Sequence, residues 1–269
     1  LQLSSQTGAF LVLILQSDRE KQMIGLGIVT YNRPEYFKES IQGVIDHLLE
    51  VCDHIFVYND GSTVPYDYSW LPDKIQVHHA KENKGVAVAK NWLLKSMMDA
   101  GCHYLFIAED DIVPIDRGAI VNYIALSRVT GNHHLLFAHH GEGNSRGPIY
   151  DGGNFHVYTN CVGAWNYYSR TAIEKVGYMD ENFKNAWEHV EHSHRISKEK
   201  LTTPFGHYMD LADSTEYLQE IPESIENSSI RQDDKWRKKM LDGLYYWKKK
   251  DPKDFPLQHT IDQLEKGVW

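Results

Sequence analysis

Three consecutive carboxylic acids, Glu109, Asp110 and Asp111, close an apolar run over residues 103–108 that reads as a strand, and Ile112, Val113 and Pro114 follow them. Carboxylates repel one another, so three at the C-terminal end of a buried strand call for a counter-cation. A donor set made only of oxygen suits a hard divalent ion, Mg²⁺ or Mn²⁺, which shares its coordination shell with substrate phosphates. The competing reading is an acidic loop in which Asp111 or Asp116 caps the next helix. A second group lies further on, where Glu188, His189, Glu191, His192 and His194 crowd one segment. A carboxylate or imidazole at a helix start can take a proton from a hydroxyl. His189 and His192, three apart, share a helix face and would suit zinc in a metal-dependent hydrolase. Neither His-Glu-x-x-His nor His-x-x-Glu-His is present. For His192 and His194 the plainer expectation is an exposed polar helix face.

The elements that must hold these residues alternate. Residues 23–30 form an apolar, β-branched run that breaks at Asn32, Arg33 and Pro34. An amphipathic stretch with Phe37, Ile41, Val44, Ile45 and Leu48 on one face follows, a helix with Pro34 in its first turn. A short strand over 54–59 ends at Asp60, Gly61 and Ser62, a turn signal. A third strand is expected near 75–78. Residues 83–91, with small residues at Gly85, Ala87 and Ala89, lead into a helix over 92–100, and the fourth strand delivers the acids. Strand and helix alternating from 23 to about 130 predict an α/β fold, a mainly parallel central sheet flanked by helices. In open sheets of this kind ligands bind at the carboxyl ends of the strands.

Four pieces in this order carry a family resemblance: residues 29–34 (Val-Thr-Tyr-Asn-Arg-Pro), 59–62 (Asn-Asp-Gly-Ser), 83–91 (Asn-Lys-Gly through Ala-Lys-Asn) and 109–112 (Glu-Asp-Asp-Ile). Together they resemble the nucleotide-binding half of family-2 glycosyltransferases with the GT-A, or nucleotide-diphospho-sugar transferase, fold. Residues 163–165, Ser169, Arg170 and residues 173–183 resemble the acceptor-side segment of that family. Trp187, Glu188 and His189, with Arg195, stand where the family carries a Glu-Asp pair opening a helix. The resemblance spans residues 23 to about 200. It departs at Asn59, which replaces one of two acids after the second strand, and at His189, which replaces the Asp usually assigned as base.

The resemblance implies a metal-dependent glycosyltransferase that moves a sugar from a nucleotide-diphosphate donor, a UDP-sugar in the first instance, to an acceptor hydroxyl with inversion. It places Thr30, Tyr31 and Arg33 beside base and ribose. Asp60 would accept from the imino group of a uracil-type base, and Lys84 and Lys90 would meet phosphate oxygens unless they are ordinary solvated lysines. Asp111 would hold Mn²⁺ or Mg²⁺, helped by Glu109 or Asp110. His207 is the further metal ligand of first choice, with His139, His140 and His156 as rivals. Trp165 and Trp187 are the acceptor-side aromatics. The base is Glu188 or His189, with Glu188 preferred because a one-residue shift would bring it into place; Glu191, one turn on, is a weaker candidate. The acceptor class stays open among glycan, lipid, protein and modified nucleic acid. Two alternatives compete: the metal-dependent hydrolase, and a glycan-binding module that keeps the fold without its base.

Composition bounds the rest. A chain of 269 residues can bury a full core. Its net charge of −9 argues against coating nucleic acid through bulk charge. Cys52, Cys102 and Cys161 show no pairing or zinc spacing and read as reduced thiols of a cytoplasmic protein. The expected organisation is an extension over 1–22, a catalytic unit over 23–228 (a nucleotide-sugar-binding half, 23–115, and an acceptor-side half, 116–228) and a basic, aromatic helical segment over 229–269. Residues 9–15 are apolar but shorter than the roughly 18 residues of a membrane span. They lack a charged leader, as in an added edge strand or the remnant of a signal. The chain begins at Leu1, as a trimmed chain or a piece of a larger protein would. The glycine-rich stretch 141–153 reads as a flexible loop over the acceptor side. The amphipathic tail 235–250 suits a peripheral contact with an anionic membrane, a grip on an acidic acceptor or a homo-oligomer contact. The preferred expectation is simpler: its aromatics pack on the catalytic domain and its lysines stay solvated.

Overall fold

The computed structural model describes residues 22–184, 186–224, 227–228 and 235–267. Strands β1 (Ile24–Thr30), β2 (His54–Asn59), β3 (Ile75–His79), β4 (Tyr104–Glu109), β6 (His134–Leu136) and β9 (Trp165–Ser169) form one sheet in the order β3-β2-β1-β4-β9-β6. β1 pairs in parallel with β2 and β4, and β2 with β3. β9, inserted between β4 and β6, runs antiparallel to both. The order turns back at β1: the chain steps outward through β2 and β3, then returns to the other side as β4. A crevice opens at such a reversal, at the carboxyl ends of the strands. Thr30 and Glu109 stand at those ends, with Val29 in register with Glu109.

Helices α1 (Pro34–His47), α2 (Val86–Asp99), α3 (Gly118–Thr130), α4 (Arg170–Val176) and α5 (Glu188–Lys198) flank the sheet. Phe37, Ile41, Val44 and Leu48 are buried in the core, as their helical spacing requires. α2 lies close on β1: a Cβ on Gly27 would stand 2.8 Å from Leu93, so glycine is the residue that permits this packing. α2 starts at Val86, earlier than the expected 92, because the backbone N–H groups of Lys84 and Gly85 are already satisfied by the Asp60 carboxylate, each at 2.9 Å.

Two small sheets follow: β5 (Ile112–Pro114) against β11 (Leu218–Glu220), and β7 (Tyr150–Asp151), β8 (Phe155–Tyr158) and β10 (Tyr208–Leu211) in the order β10-β8-β7. The stretch read as a loop over 141–153 therefore contributes a strand, β7, because the backbones of Ile149 and Gly152 bond those of Val157 and Phe155. The C-terminal helix α6 (Trp236–Lys250) packs on α5 through Trp247 and Val190, and α7 (Gln258–Glu265) packs on α6. Met240, Leu244 and Trp247, at helical spacing, are buried, while Lys238, Lys248 and Lys249 are exposed. The apolar face proposed for a membrane or a second copy is thus largely spent inside the chain. No helix among the described residues is long and apolar enough to cross a membrane. The apolar residues 9–15 lie outside the described residues.

Candidate active site

A cavity of about 840 Å³ opens over the carboxyl ends of β1 and β4. Thr30, Tyr31, Arg33, Asp60, Glu109, Asp110, Asp111, Trp187, Glu188 and His189 line it, so most of the residues expected from sequence meet there. Lys84, Lys90, Trp165, Glu191 and His207 do not.

The acids form one part of the cavity wall. Asp110 and Asp111 are almost wholly buried. Arg33 ion-pairs with both, through Nη2 to Asp110 and through Nη1 to Asp111 at 3.1 Å. Its backbone is held by the turn before α1. Asn32 adopts a left-handed conformation (φ 54°) that asparagine tolerates, and its side-chain oxygen accepts from the N–H groups of Thr63 and Val64. Arg33 is thus a partner of the acids, a contact not expected from the sequence. The Thr30 hydroxyl donates to Asp110 at 2.6 Å. Burial holds the Asp110 carboxyl above the ordinary range against the pull of Arg33. Asp111 is equally buried, but His140 and Arg33 bring its pKa below the usual value.

His140 is the histidine that reaches the acids, with Nε2 3.4 Å from Asp111 Oδ2. The chain after β6 is pinned on both sides of it: Ala138 donates its N–H to Asp210, and Gly141 to Glu220. His207, the first choice from sequence, is exposed and outside the cavity wall. His139 and His156 are taken up by the Tyr158 hydroxyl, at 3.1 and 3.4 Å. Among the described residues no group of three His, Cys, Asp or Glu side chains is arranged to hold a metal ion. A hard cation that shares its shell with donor phosphates needs only one or two carboxylates from the protein. Asp111 Oδ1, buried and without a hydrogen-bond partner, fits that requirement.

The cavity is also lined by the start of α5. Trp187 caps it in a left-handed conformation (φ 71°) and donates its indole N–H to the carbonyl of Met240 on α6, which fixes the turn. Glu188 follows, only 3% exposed, with Oε1 3.0 Å from His189 Nδ1 and 3.6 Å from Lys90 Nζ. Its Oε2 is buried and unpartnered. Burial would raise its pKa, but His189, Lys90 and the backbone N–H at the helix start bring it down to about 2. Gly163 makes room for the imidazole, because a Cβ there would stand 2.9 Å from His189 Nδ1.

Several expectations are corrected here. Trp165 is wholly buried within β9, packed on Phe106, and cannot touch an acceptor. Lys84 is exposed and lies outside the cavity wall. Lys90 is neither solvated nor a phosphate contact but fully buried, 2.7 Å from Glu109. Glu191 is buried with its oxygens taken by Arg195 and Lys250, so it braces α5 against α6 rather than facing the cavity. His192 and His194 are buried, not exposed: His192 Nε2 meets the Gly177 carbonyl at 2.9 Å, and His194 packs on Phe205 and Trp247. The histidines of this segment therefore diverge, and a zinc centre built from them is excluded. Trp236 and Lys239, in the tail for which a grip on an acidic acceptor is one expectation, line the wall; sequence reading missed Thr260, Gln263 and Tyr66, whose hydroxyl meets Thr30 and the Arg33 N–H. Nothing local in the sequence marked them.

Burial pushes the pKa of His192 down to about 3, so the ring is neutral in the folded protein. In the unfolded chain it titrates near 6.5. Its contribution is thus complete above pH 6.5 and is lost as pH falls from there towards 3. The stability difference between the wild type and His192→Gln, followed by urea denaturation, should shrink by about 1.4 kcal/mol per pH unit between pH 6.5 and 4. A constant difference would show that His192 is not held neutral.

No family model and no curated protein matches the sequence. Solved structures do share the fold. S. aureus TarS, residues 1–349, is 13% identical, with 87% of this chain and 73% of that one covered and a TM-score of 0.53. The same protein in complex with UDP-GlcNAc is 14% identical, with coverage of 83% and 66% and a TM-score of 0.54. The mannosyltransferase PcManGT from Pyrobaculum calidifontis, in complex with GDP-Man and Mn²⁺, is 12% identical, with coverage of 93% and 71% and a TM-score of 0.58. The chain therefore has a fold also found in proteins solved with nucleotide sugars.

Proposed function

We propose that this chain is a glycosyltransferase of the GT-A type, similar to family 2, that transfers a sugar from a nucleotide-diphosphate donor to an acceptor hydroxyl with inversion. The observation that carries this reading is one cavity lined both by Asp111, with a buried, unpartnered carboxylate oxygen, and by the Glu188–His189 pair. The first suits a cation on a diphosphate; the second suits removal of a hydroxyl proton.

Asp111, with Asp110 and His140 beside it, would hold Mn²⁺ or Mg²⁺, which when bound neutralises charge on the departing diphosphate. Arg33, released from part of its pairing with the acids, would add a second positive charge there. The reaction is a direct displacement: the acceptor oxygen forms a bond to the anomeric carbon while the bond to the diphosphate oxygen breaks and its electron pair leaves with the nucleotide. The acceptor proton goes to the base. His189 is the better candidate, because its ring lines the cavity and is more exposed than Glu188, whose Oε1 is turned towards Nδ1 and Lys90. Glu188 instead accepts from Nδ1–H and orients the ring, the arrangement of a base steadied by a third group. Trp187, on the cavity wall, would stack on a sugar ring of the acceptor.

Asp60 is the expected base-recognition group. Each of its oxygens takes one backbone N–H, and a carboxylate has further lone pairs for an imino group. Titration calorimetry should show UDP binding strengthened by Mn²⁺ and weakened about tenfold or more by Asp60→Ala. Equal affinity for UDP and GDP would remove the uridine assignment. Retained UDP affinity in Asp60→Ala would remove Asp60 from the base pocket.

A further inference from the structure

Lys90 has no exposed surface, yet it places a full charge inside the framework of the site. It is carried by α2, with Nζ 2.7 Å from Glu109 Oε1, 3.1 Å from the Gly163 carbonyl and 3.6 Å from Glu188 Oε1. An ammonium has three N–H groups, and these three acceptors surround it. A buried lysine is costly unless it is paired, and a methionine would fill the same volume without that cost. The charge must therefore do something for its partners. Glu109 is partly exposed and has solvent to stabilise it. Glu188 has none: its side chain is almost fully buried, and one of its oxygens has no partner.

Consider the Glu188–His189 pair with the ammonium removed. With no other positive charge beside the buried carboxylate, the Glu188–His189 pair gains by taking one proton from solvent. On the carboxylate or on the ring, that proton leaves Nε2 carrying a hydrogen, because Nδ1 faces Glu188. That nitrogen would no longer accept a proton. With the ammonium in place Glu188 remains a carboxylate, Nδ1–H donates to it, and the lone pair lies on Nε2.

We propose that Lys90 is a positioning residue that keeps Nε2 of His189 free to accept a proton, by countering the buried Glu188 charge while Oε1 faces Nδ1. Gly163 serves the same end twice: its carbonyl receives the ammonium, and its missing side chain admits the ring. This assignment rests on the reading of His189 as the base and adds the residue through which that base is set.

The test is ¹⁵N NMR of the His189 ring in the full chain near neutral pH, which needs no substrate. In the wild type, Nε2 should resonate as a bare imidazole nitrogen and Nδ1 as an N–H. In Lys90→Met, Nε2 should move to the N–H range. In Glu109→Gln, which leaves Lys90 beside Glu188, the wild-type pattern should persist. If Lys90→Met does not fold, Lys90→Met with Glu109→Gln removes the second stranded acid and takes its place. An unchanged His189 pattern in a folded Lys90 variant overturns the proposal and leaves the base assignment standing. A protonated Nε2 in the wild type overturns both.

Discussion

His189→Ala is expected to lower turnover by roughly 10²- to 10⁴-fold, the range a positioned general base supplies, with UDP affinity unchanged. The imidazole lines the cavity, its Nδ1 is committed to Glu188, and no hydrogen bond to Nε2 occurs among the described residues. Glu188→Gln should cost less, because the amide oxygen can still accept from Nδ1–H while the fixed charge is lost. Steady-state kinetics on the two variants orders them. A Glu188→Gln variant that is inactive beside a His189→Ala variant that works would reverse the roles and restore the assignment first drawn from sequence. The family pattern, with an acid at position 189, says nothing of which neighbour substitutes for it. The pairing of Glu188 with both His189 and Lys90 is what tips the balance.

Asp111→Asn should abolish stimulation by Mn²⁺ and lower turnover by about 10³-fold or more, since charge stabilisation by a bound cation is worth several kcal/mol. The substitution keeps the shape of the side chain. Arg33 retains Asp110, so the end of β4 is not stripped of its partner, and thermal denaturation should show a folded protein. Wild-type turnover that survives excess EDTA would take the cation out of the reaction. Unaltered Mn²⁺ stimulation in Asp111→Asn would move it to other ligands.

The first four strands and their helices were legible because each announces itself locally: a β-branched run, a turn dipeptide, an apolar face at helical spacing. The acids at the end of β4 were legible for the same reason. β9 was not. Residues 165–169 are buried on both faces between β4 and β6, so the Trp165 ring that resembled an acceptor contact belongs to the core. Burial also reversed the reading of Lys90, His192 and His194, polar residues whose partners come from distant segments. His140 could be named only as one histidine among several, because its place beside Asp111 depends on two backbone bonds to Asp210 and Glu220. Residue type and spacing reveal which chemistry a chain can perform. They do not reveal which of several equivalent side chains a tertiary fold will choose.

The C-terminal helix pair has a consequence for how such a protein can change. The residues proposed for the chemistry all precede α6, while Trp236, Lys239, Thr260 and Gln263 supply cavity wall from the end of the chain. Substitutions there can recast the shape and polarity offered to an incoming molecule without touching a reacting group. Two anchors limit the exchange: the Met240 carbonyl, which fixes Trp187, and Lys250, which holds Glu191. A lineage that kept those two contacts and rewrote the rest would inherit a working machine with a different clientele.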